Sequence, residues 1–177
     1  CIDICKALDY AERQGVVHRD LKPGNILVNH DHVAKLADLG LVKMMNQSPK
    51  QGALTHQGVA MGTPHYMAPE QVLDAQSVDH RADLYSLGCT LFQMVCGQTV
   101  FASSNVRALL NKHLSEIRPK AKEINPELPK GLSELIERLL NPDPAQRPSS
   151  AALVEKEIYA LFDQWATLPN PIIPLLL

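Results

Sequence analysis

HRDLKPGN at residues 18–25, followed by DLG at residues 38–40, is the stretch from which the rest of this chain is read. Pro23 and Gly24 favour a tight turn, which can bring the side chains of Asp20 and Asn25 to one side of a loop. Downstream, ILVN at 26–29 and VAKLAD at 33–38 are short β-prone runs joined by the polar Asn29, His30, Asp31 and His32, so a small hairpin is predicted with Asp38 at the end of its second strand. Upstream, Ile4, Leu8 and Ala11 recur at helical spacing over residues 2–14, and Gly15 stands where a left-handed C-terminal cap is commonly placed.

The totals bound the possibilities. The 177 residues, 45% hydrophobic, suffice for one domain with an apolar core. Seventeen Lys and Arg against nineteen Asp and Glu give a net charge of -2, which argues against a nucleic-acid partner. Cys1, Cys5, Cys89 and Cys96 lack CxxC spacing and read as reduced thiols of a cytoplasmic protein. The seven histidines form no HExxH or paired-ligand pattern, so no zinc site is expected. The chain begins at Cys1 inside a helical pattern with no signal peptide before it, and is expected to be part of a longer protein. No apolar run reaches membrane-spanning length, although a membrane anchor elsewhere in the full-length protein stays open.

From Leu41 to Glu70 the chain is polar, rich in Gly and Pro, and without either period, as in a functional or disordered connection. Residues 82–96 (ADLYSLGCTLFQMVC) are apolar nearly all round, which predicts a helix buried in the middle of the domain and ended by Gly97. Leu132, Leu135, Ile136, Leu139 and Leu140 mark an amphipathic helix stopped by NPDP. A last helix is expected from a cap at Ser149, with Val154, Ile158, Leu161, Phe162 and Trp165 as its stripe. The reading is mainly α (α+β overall): a helical bundle over residues 1–166 with a small hairpin at its loop, then a Pro-rich apolar tail or linker over 167–177.

The polar residues around the turn suit phosphoryl transfer, which asks a protein for a carboxylate at the attacking hydroxyl, oxygen ligands for a metal on the phosphates, and a cation for developing charge. Asp20 can orient the hydroxyl and accept its proton, Lys22 can approach the transferred phosphate, and Asn25 and Asp38 can hold Mg²⁺. Each alone has a plainer reading: Asp20 as a turn residue, Lys22 as a solvated lysine.

Three further motifs follow in order: GTPHYMAPE at 62–70, DHRADLYSLG at 79–88 and NPDPAQRP at 141–148. With them the chain resembles the eukaryotic-type protein kinase family over residues 18–148. Lys22 and GTPHYMAPEQ resemble the Ser/Thr branch, and the wording of GTPHYMAPEQ together with DHRADLYSLG is similar to bacterial receptor-like Ser/Thr kinases. The roles given above to Asp20, Lys22, Asn25 and Asp38 are those these family motifs carry.

The resemblance implies a kinase-like C-terminal lobe that uses ATP and Mg²⁺ and acts on Ser/Thr hydroxyls of protein substrates, with Lys22, Asn25 and Asp38 toward the nucleotide. It further implies that Thr63 hydrogen-bonds near Asp20 and Lys22, that Asp83 holds the catalytic-loop backbone, and that Glu70 and Arg147 form a buried ion pair. Arg19 resembles the arginine that receives a phosphorylated activation segment, with Ser48 and Thr55 as acceptors. The plainer alternatives are a loop Thr63, a cap Asp83, an exposed Glu70 and Arg147 pair, and an Arg19, Ser48 and Thr55 without regulatory roles.

Two departures qualify this. Leu39 stands where the family usually has Phe, which keeps an apolar plug but loses aromatic packing. No GxGxxG occurs among the nine glycines and no VAIK-like strand is present, so the N-terminal lobe is absent from this chain and the fragment alone is expected to be inactive. A pseudokinase or protein-docking module is the alternative reading. An unrelated phosphotransferase is disfavoured by GTPHYMAPE and DHRADLYSLG.

Overall fold

The computed structural model describes residues 1–38, 63–75 and 77–165, the last three by their backbone only. Most of the connection that starts at Leu41, the DLG residues Leu39 and Gly40, both phosphoacceptor candidates Ser48 and Thr55, and the tail at 167–177 lie outside the described residues.

Helix α1 (Ile2–Arg13) buries Ile4, Cys5, Leu8 and Ala11 on one stripe. It ends in a Schellman arrangement: Gly15 has φ +69°, its N–H donates to the Glu12 carbonyl, and the Val16 N–H donates to the Ala11 carbonyl. The expected hairpin follows, with β1 (Ile26–Val28) antiparallel to β2 (Ala34–Leu36) and Leu27 opposite Lys35. Its turn is organised by Asn29, whose Oδ1 accepts from the N–H groups of Asp31 and Val33. Asp3 on α1 accepts from the Ala34 N–H at 3.0 Å and so ties the sheet to the helix.

After the short α2 (Pro69–Leu73) comes α3 (Arg81–Cys96), in which every residue from Ala82 to Phe92 is buried. A helix without a polar face must be surrounded. The shell is α5 (Ala121–Ile124) and α6 (Lys130–Leu139), and α6 in turn packs on α7 (Ala151–Trp165), which lies along α1. At the α3 and α6 crossing, Gly88 lets the helices close up: a Cβ there would sit 2.8 Å from Leu139 Cβ. Gly97, at φ +70°, ends α3 as expected.

Helix α4 (Val106–Ser115), capped by the Asn105 side chain, and α5 are not announced by the sequence pattern. On α4 only Leu109 and His113 are buried. The His113 Nδ1 lies 2.8 Å from the Tyr85 hydroxyl and its ring meets Phe101 edge-on, while among the described residues its Nε2 has no hydrogen-bond partner. Burial, then the nearby Arg118 and His65, pull its pKa down to about 4.

The cap of α7 is Ser150 instead of Ser149: Ser150 Oγ accepts from the Leu153 N–H at 3.2 Å, and the Ser149 carbonyl faces His80 Nε2 at 3.0 Å. Two adjacent serines offer the same chemistry, and only the backbone path decides which of them caps. Val154 and Ile158 form the buried stripe of α7, with Leu161 and Phe162 packed at its margin. The architecture is the expected one, a helical lobe with a small hairpin beside the loop of interest. Among the described residues no helix is long and apolar enough to cross a membrane.

Candidate active site

The loop between α1 and β1 carries the site, and its shape is imposed from below by Asp83. Asp83 sits in the first turn of α3, 2% exposed, and its two carboxylate oxygens accept from the N–H groups of His18 and Arg19, both at 2.8 Å. Burial pushes the Asp83 carboxyl up, against the pull of those two N–H groups. His18, fully buried, adds a second tie: its Nε2 lies 3.0 Å from the Ala37 carbonyl and its Nδ1 accepts from the Asp20 N–H at 3.3 Å. Arg19 is held at φ +68°, a conformation that a side chain with a Cβ adopts only when its surroundings impose it.

Past this clamp the polar side chains converge. Lys22 Nζ donates to Asp20 Oδ2 and to Thr63 Oγ1, both at 2.8 Å, and the Thr63 N–H donates to Asp20 Oδ1 at 3.1 Å. Asn25 Nδ2 donates to the Asp20 carbonyl at 2.8 Å and to Asp20 Oδ2 at 3.3 Å. Partial burial pushes the Asp20 carboxyl up, but the hydrogen bonds from Lys22 and Thr63, the Lys22 charge and the Asn25 amide outweigh it and hold the pKa below the usual aspartate value. Asp20 is therefore an anion at neutral pH. Leu21, Thr63, Tyr66 and Met67 line a shallow recess beside it.

The structure thus brings Asp20, Lys22, Asn25 and Thr63 into one hydrogen-bonded group. Asp38 is not part of that hydrogen-bonded group: its neighbour Ala37 donates its N–H to the Asn25 carbonyl at 2.8 Å, and Asp38 itself is exposed at φ +55°. It lies two residues beyond the last paired residue of β2, Leu36, so the strand ends slightly earlier than expected.

Glu70 and Arg147 meet in a bidentate pair, Nη1 to Oε1 at 2.6 Å and Nη2 to Oε2 at 2.8 Å, with the arginine side chain fully buried. Arg147 also lies over the Tyr85 ring, 4.9 Å from its centroid. This pair anchors the start of α2, and with it the segment that carries Thr63.

Four hydrogen bonds around the site have no counterpart in the sequence reading. Ser86 on α3 donates to the Tyr66 carbonyl at 2.8 Å, and the Tyr66 hydroxyl donates to Gln93 Oε1. Gln71 joins the Arg19 carbonyl to the Ala68 N–H. The signal for Gln71 was present: a Gln three residues after the residue that precedes a helix is half of a capping box.

Oxygen ligands suited to Mg²⁺ are available here. Among the described residues no group of three or more His, Cys, Asp and Glu side chains converges, so these residues build no all-protein metal cage. Mg²⁺ bound to phosphates needs only one or two protein oxygens and keeps waters for the rest. With its Nδ2 engaged on Asp20, Asn25 has its Oδ1 left as the acceptor, and the exposed Asp38 carboxylate follows Ala37, which pairs with Asn25. That donor set fits.

The family model of the protein kinase domain matches residues 1–159. The chain belongs to the protein kinase family. It is similar to a probable serine/threonine-protein kinase of Clostridium perfringens, 37% identical over 169 residues that make up 96% of this chain and 23% of that protein. It is also similar to a DNA damage-responsive serine/threonine-protein kinase of Deinococcus radiodurans, 37% identical over 163 residues (92% of this chain, 24% of that protein). A serine/threonine-protein kinase of Myxococcus xanthus is 38% identical over 164 residues (89% and 30%). The kinase chain described here therefore spans between about a quarter and a third of the length of these curated relatives. Protein kinases as a family use ATP and Mg²⁺.

Proposed function

We propose that this chain is the substrate- and metal-holding lobe of a Ser/Thr protein kinase, whose full-length form transfers the γ-phosphate of ATP to Ser and Thr hydroxyls of protein substrates. The observation that carries the reading is the Asp20 carboxylate, kept ionised and oriented by Lys22, Thr63 and Asn25 at once. An anion held in place can accept a hydrogen bond from a substrate hydroxyl and take its proton as the new O–P bond forms and the bond from the γ-phosphorus to the departing ADP breaks. A loose, metaphosphate-like transition state asks for little base strength and much positioning.

Lys22 Nζ, already shared between Asp20 and Thr63, sits where it can also face a phosphoryl oxygen and balance charge there. Asn25 Oδ1 and the Asp38 carboxylate are the groups that would hold Mg²⁺; when bound, the ion supplies charge neutralisation on the nucleotide phosphates. The Thr63 bond to Lys22 gives the pocket beside Asp20 its wall. Arg19 is the proposed receiver for a phosphorylated Ser48 or Thr55, a pairing that orders loops. A cytoplasmic location is proposed from the sequence, whose four cysteines lack CxxC spacing.

Because no GxGxxG sequence occurs in the 177 residues, the chain by itself is proposed to transfer phosphate feebly or not at all. The test is Asp20→Asn in the full-length protein, with phosphate incorporation into a Ser/Thr substrate as the readout. Loss of a positioned base and hydroxyl-orienting carboxylate should lower kcat by about 10²–10⁴-fold. Unchanged turnover would overturn the assignment. A full-length native protein that binds partners but transfers no phosphate would be a docking module instead.

A further inference from the structure

Gln71, which follows directly on the anchored Glu70, makes two hydrogen bonds that reach in opposite directions. Its Oε1 accepts from the N–H of the fully buried Ala68 at 2.9 Å, and its Nε2 donates to the Arg19 carbonyl at 3.0 Å. One neighbour is a donor and the other an acceptor, so a single amide orientation satisfies both. We propose that Gln71 is a positioning residue for Asp20: it fixes the plane of the Arg19–Asp20 peptide and so makes the setting of the carboxylate depend on the seating of α2. The inference rests on the reading of Asp20 given above and adds to it the element that holds Asp20 in register.

The argument turns on which atoms share a plane. The Arg19 carbonyl and the Asp20 N–H belong to one rigid peptide unit, so gripping the carbonyl fixes the direction in which the chain enters Asp20. A second hold on that unit among the described residues is the Asp20 N–H to His18 Nδ1 contact, long at 3.3 Å. On the far side of Arg19, Asp83 grips the N–H at 2.8 Å. Arg19 stands at φ +68° between these two holds, a conformation that relaxes if either is released.

Gln71 is itself well supported. Arg147 clasps the preceding Glu70 with two bonds, and Ala68 and Pro69 are buried, so the amide projects from a fixed base. The segment 63–73 thus ties to this stretch twice: at the Asp20 carboxylate through the Thr63 N–H at 3.1 Å, and at the carbonyl of the preceding Arg19 through Gln71. A carboxylate tied at only one end keeps a freedom that costs catalysis, because small misplacements are expensive in a reaction made of positioning.

Gln71→Glu separates positioning from helix capping. A glutamate still accepts from the Ala68 N–H, as at any capping box, but it cannot donate to the Arg19 carbonyl. In the 177-residue chain, amide hydrogen exchange of Asp20 and Thr63 should accelerate by on the order of tenfold in Gln71→Glu, with amides of α3 and α6 and the denaturation midpoint unchanged. Gln71→Met, which has the length and neither bond, should accelerate the same two amides and also lower the midpoint. Exchange at Asp20 that stays at the native rate in both variants overturns the proposal, and so does acceleration spread evenly over all helices. In the full-length protein, Gln71→Glu should lower kcat about tenfold with the KM for ATP unchanged, whereas a raised KM at native kcat would contradict a positioning role. The exchange result needs no turnover, so it stands or falls separately from the kinase assignment.

Discussion

Arg147→Ala removes a buried side chain whose every donor is satisfied. All five guanidinium N–H groups are used: Nε on the Asn141 carbonyl at 2.8 Å, Nη1 on Glu70 and on the Arg81 carbonyl at 2.8 Å, and Nη2 on Glu70 and on the Pro142 carbonyl at 3.2 Å. The side chain is 0% exposed and its partner Glu70 is 21% exposed. Truncation therefore strands a mostly buried carboxylate, leaves three carbonyls without these donors, and opens a void against the Tyr85 ring. Breaking a buried pair from one side costs about 3–5 kcal/mol. The carbonyls add up to roughly 1 kcal/mol each where water cannot replace the donor. Glu70 can rehydrate in part through its exposed edge, which pulls the other way, and about 4 kcal/mol is the expected loss.

For a chain of this size that loss lowers Tm by roughly 8–16 °C. The assay is urea denaturation followed by circular dichroism, comparing midpoints at constant slope. Arg147→Lys keeps a charge but cannot form the fork, and should lose about half as much. A loss under about 1 kcal/mol for Arg147→Ala would refute the reasoning, because an exposed pair is worth no more than that. Additive effects of Glu70→Gln and Arg147→Ala would refute it by a second route, since residues in direct contact are expected to couple.

Gly88→Ala gains about 1 kcal/mol in helix propensity but drives a Cβ to 2.8 Å from Leu139 Cβ and 3.3 Å from its backbone carbon, so a net destabilisation of about 1–2 kcal/mol is expected by the same denaturation assay. His113 gives a pH prediction. Its pKa falls from 6.5 unfolded to about 4 folded, so as pH drops below 6.5 the unfolded chain takes up the proton first. Up to about 3 kcal/mol of stability, fully present above pH 6.5, is then lost by about pH 4. In His113→Gln, which can still bond the Tyr85 hydroxyl, this slope should be absent; parallel stability curves for the two proteins would sink the claim.

The helices that could be read from sequence were those whose burial is one-sided or total. Ile4, Leu8 and Ala11 announce α1, Leu132 to Leu139 announce α6, and the unbroken apolar run of α3 says that it is wrapped. Helix α4 escaped because it buries only Leu109 and His113, and α5 because it has a single turn and buries only Ala121. Their places are set by what they pack on, which periodicity does not encode. The Ser149 and Ser150 ambiguity is of the same kind, a matter of backbone path between two equivalent side chains.

The candidate site divides along a similar line. Asp20, Lys22 and Asn25 could be placed together from the sequence because a turn of a few residues leaves them little else to do. The contacts across the lobe, from Thr63, Gln71, Asp83 and Arg147, span between 41 and 77 residues of chain. Spacing cannot supply such contacts; Thr63, Asp83 and the Glu70 and Arg147 pair entered through the family resemblance, and Gln71 not at all. What the geometry adds is the order of dependence. Asp83 shapes the loop from the buried helix, Arg147 fixes Glu70, and the segment from Thr63 to Gln71 reaches both the Asp20 carboxylate and the Arg19 carbonyl just before it. A carboxylate set by two separate elements is well oriented only when both are seated, so the same contacts that prepare Asp20 for a hydroxyl also make its orientation sensitive to the substrate-side segment.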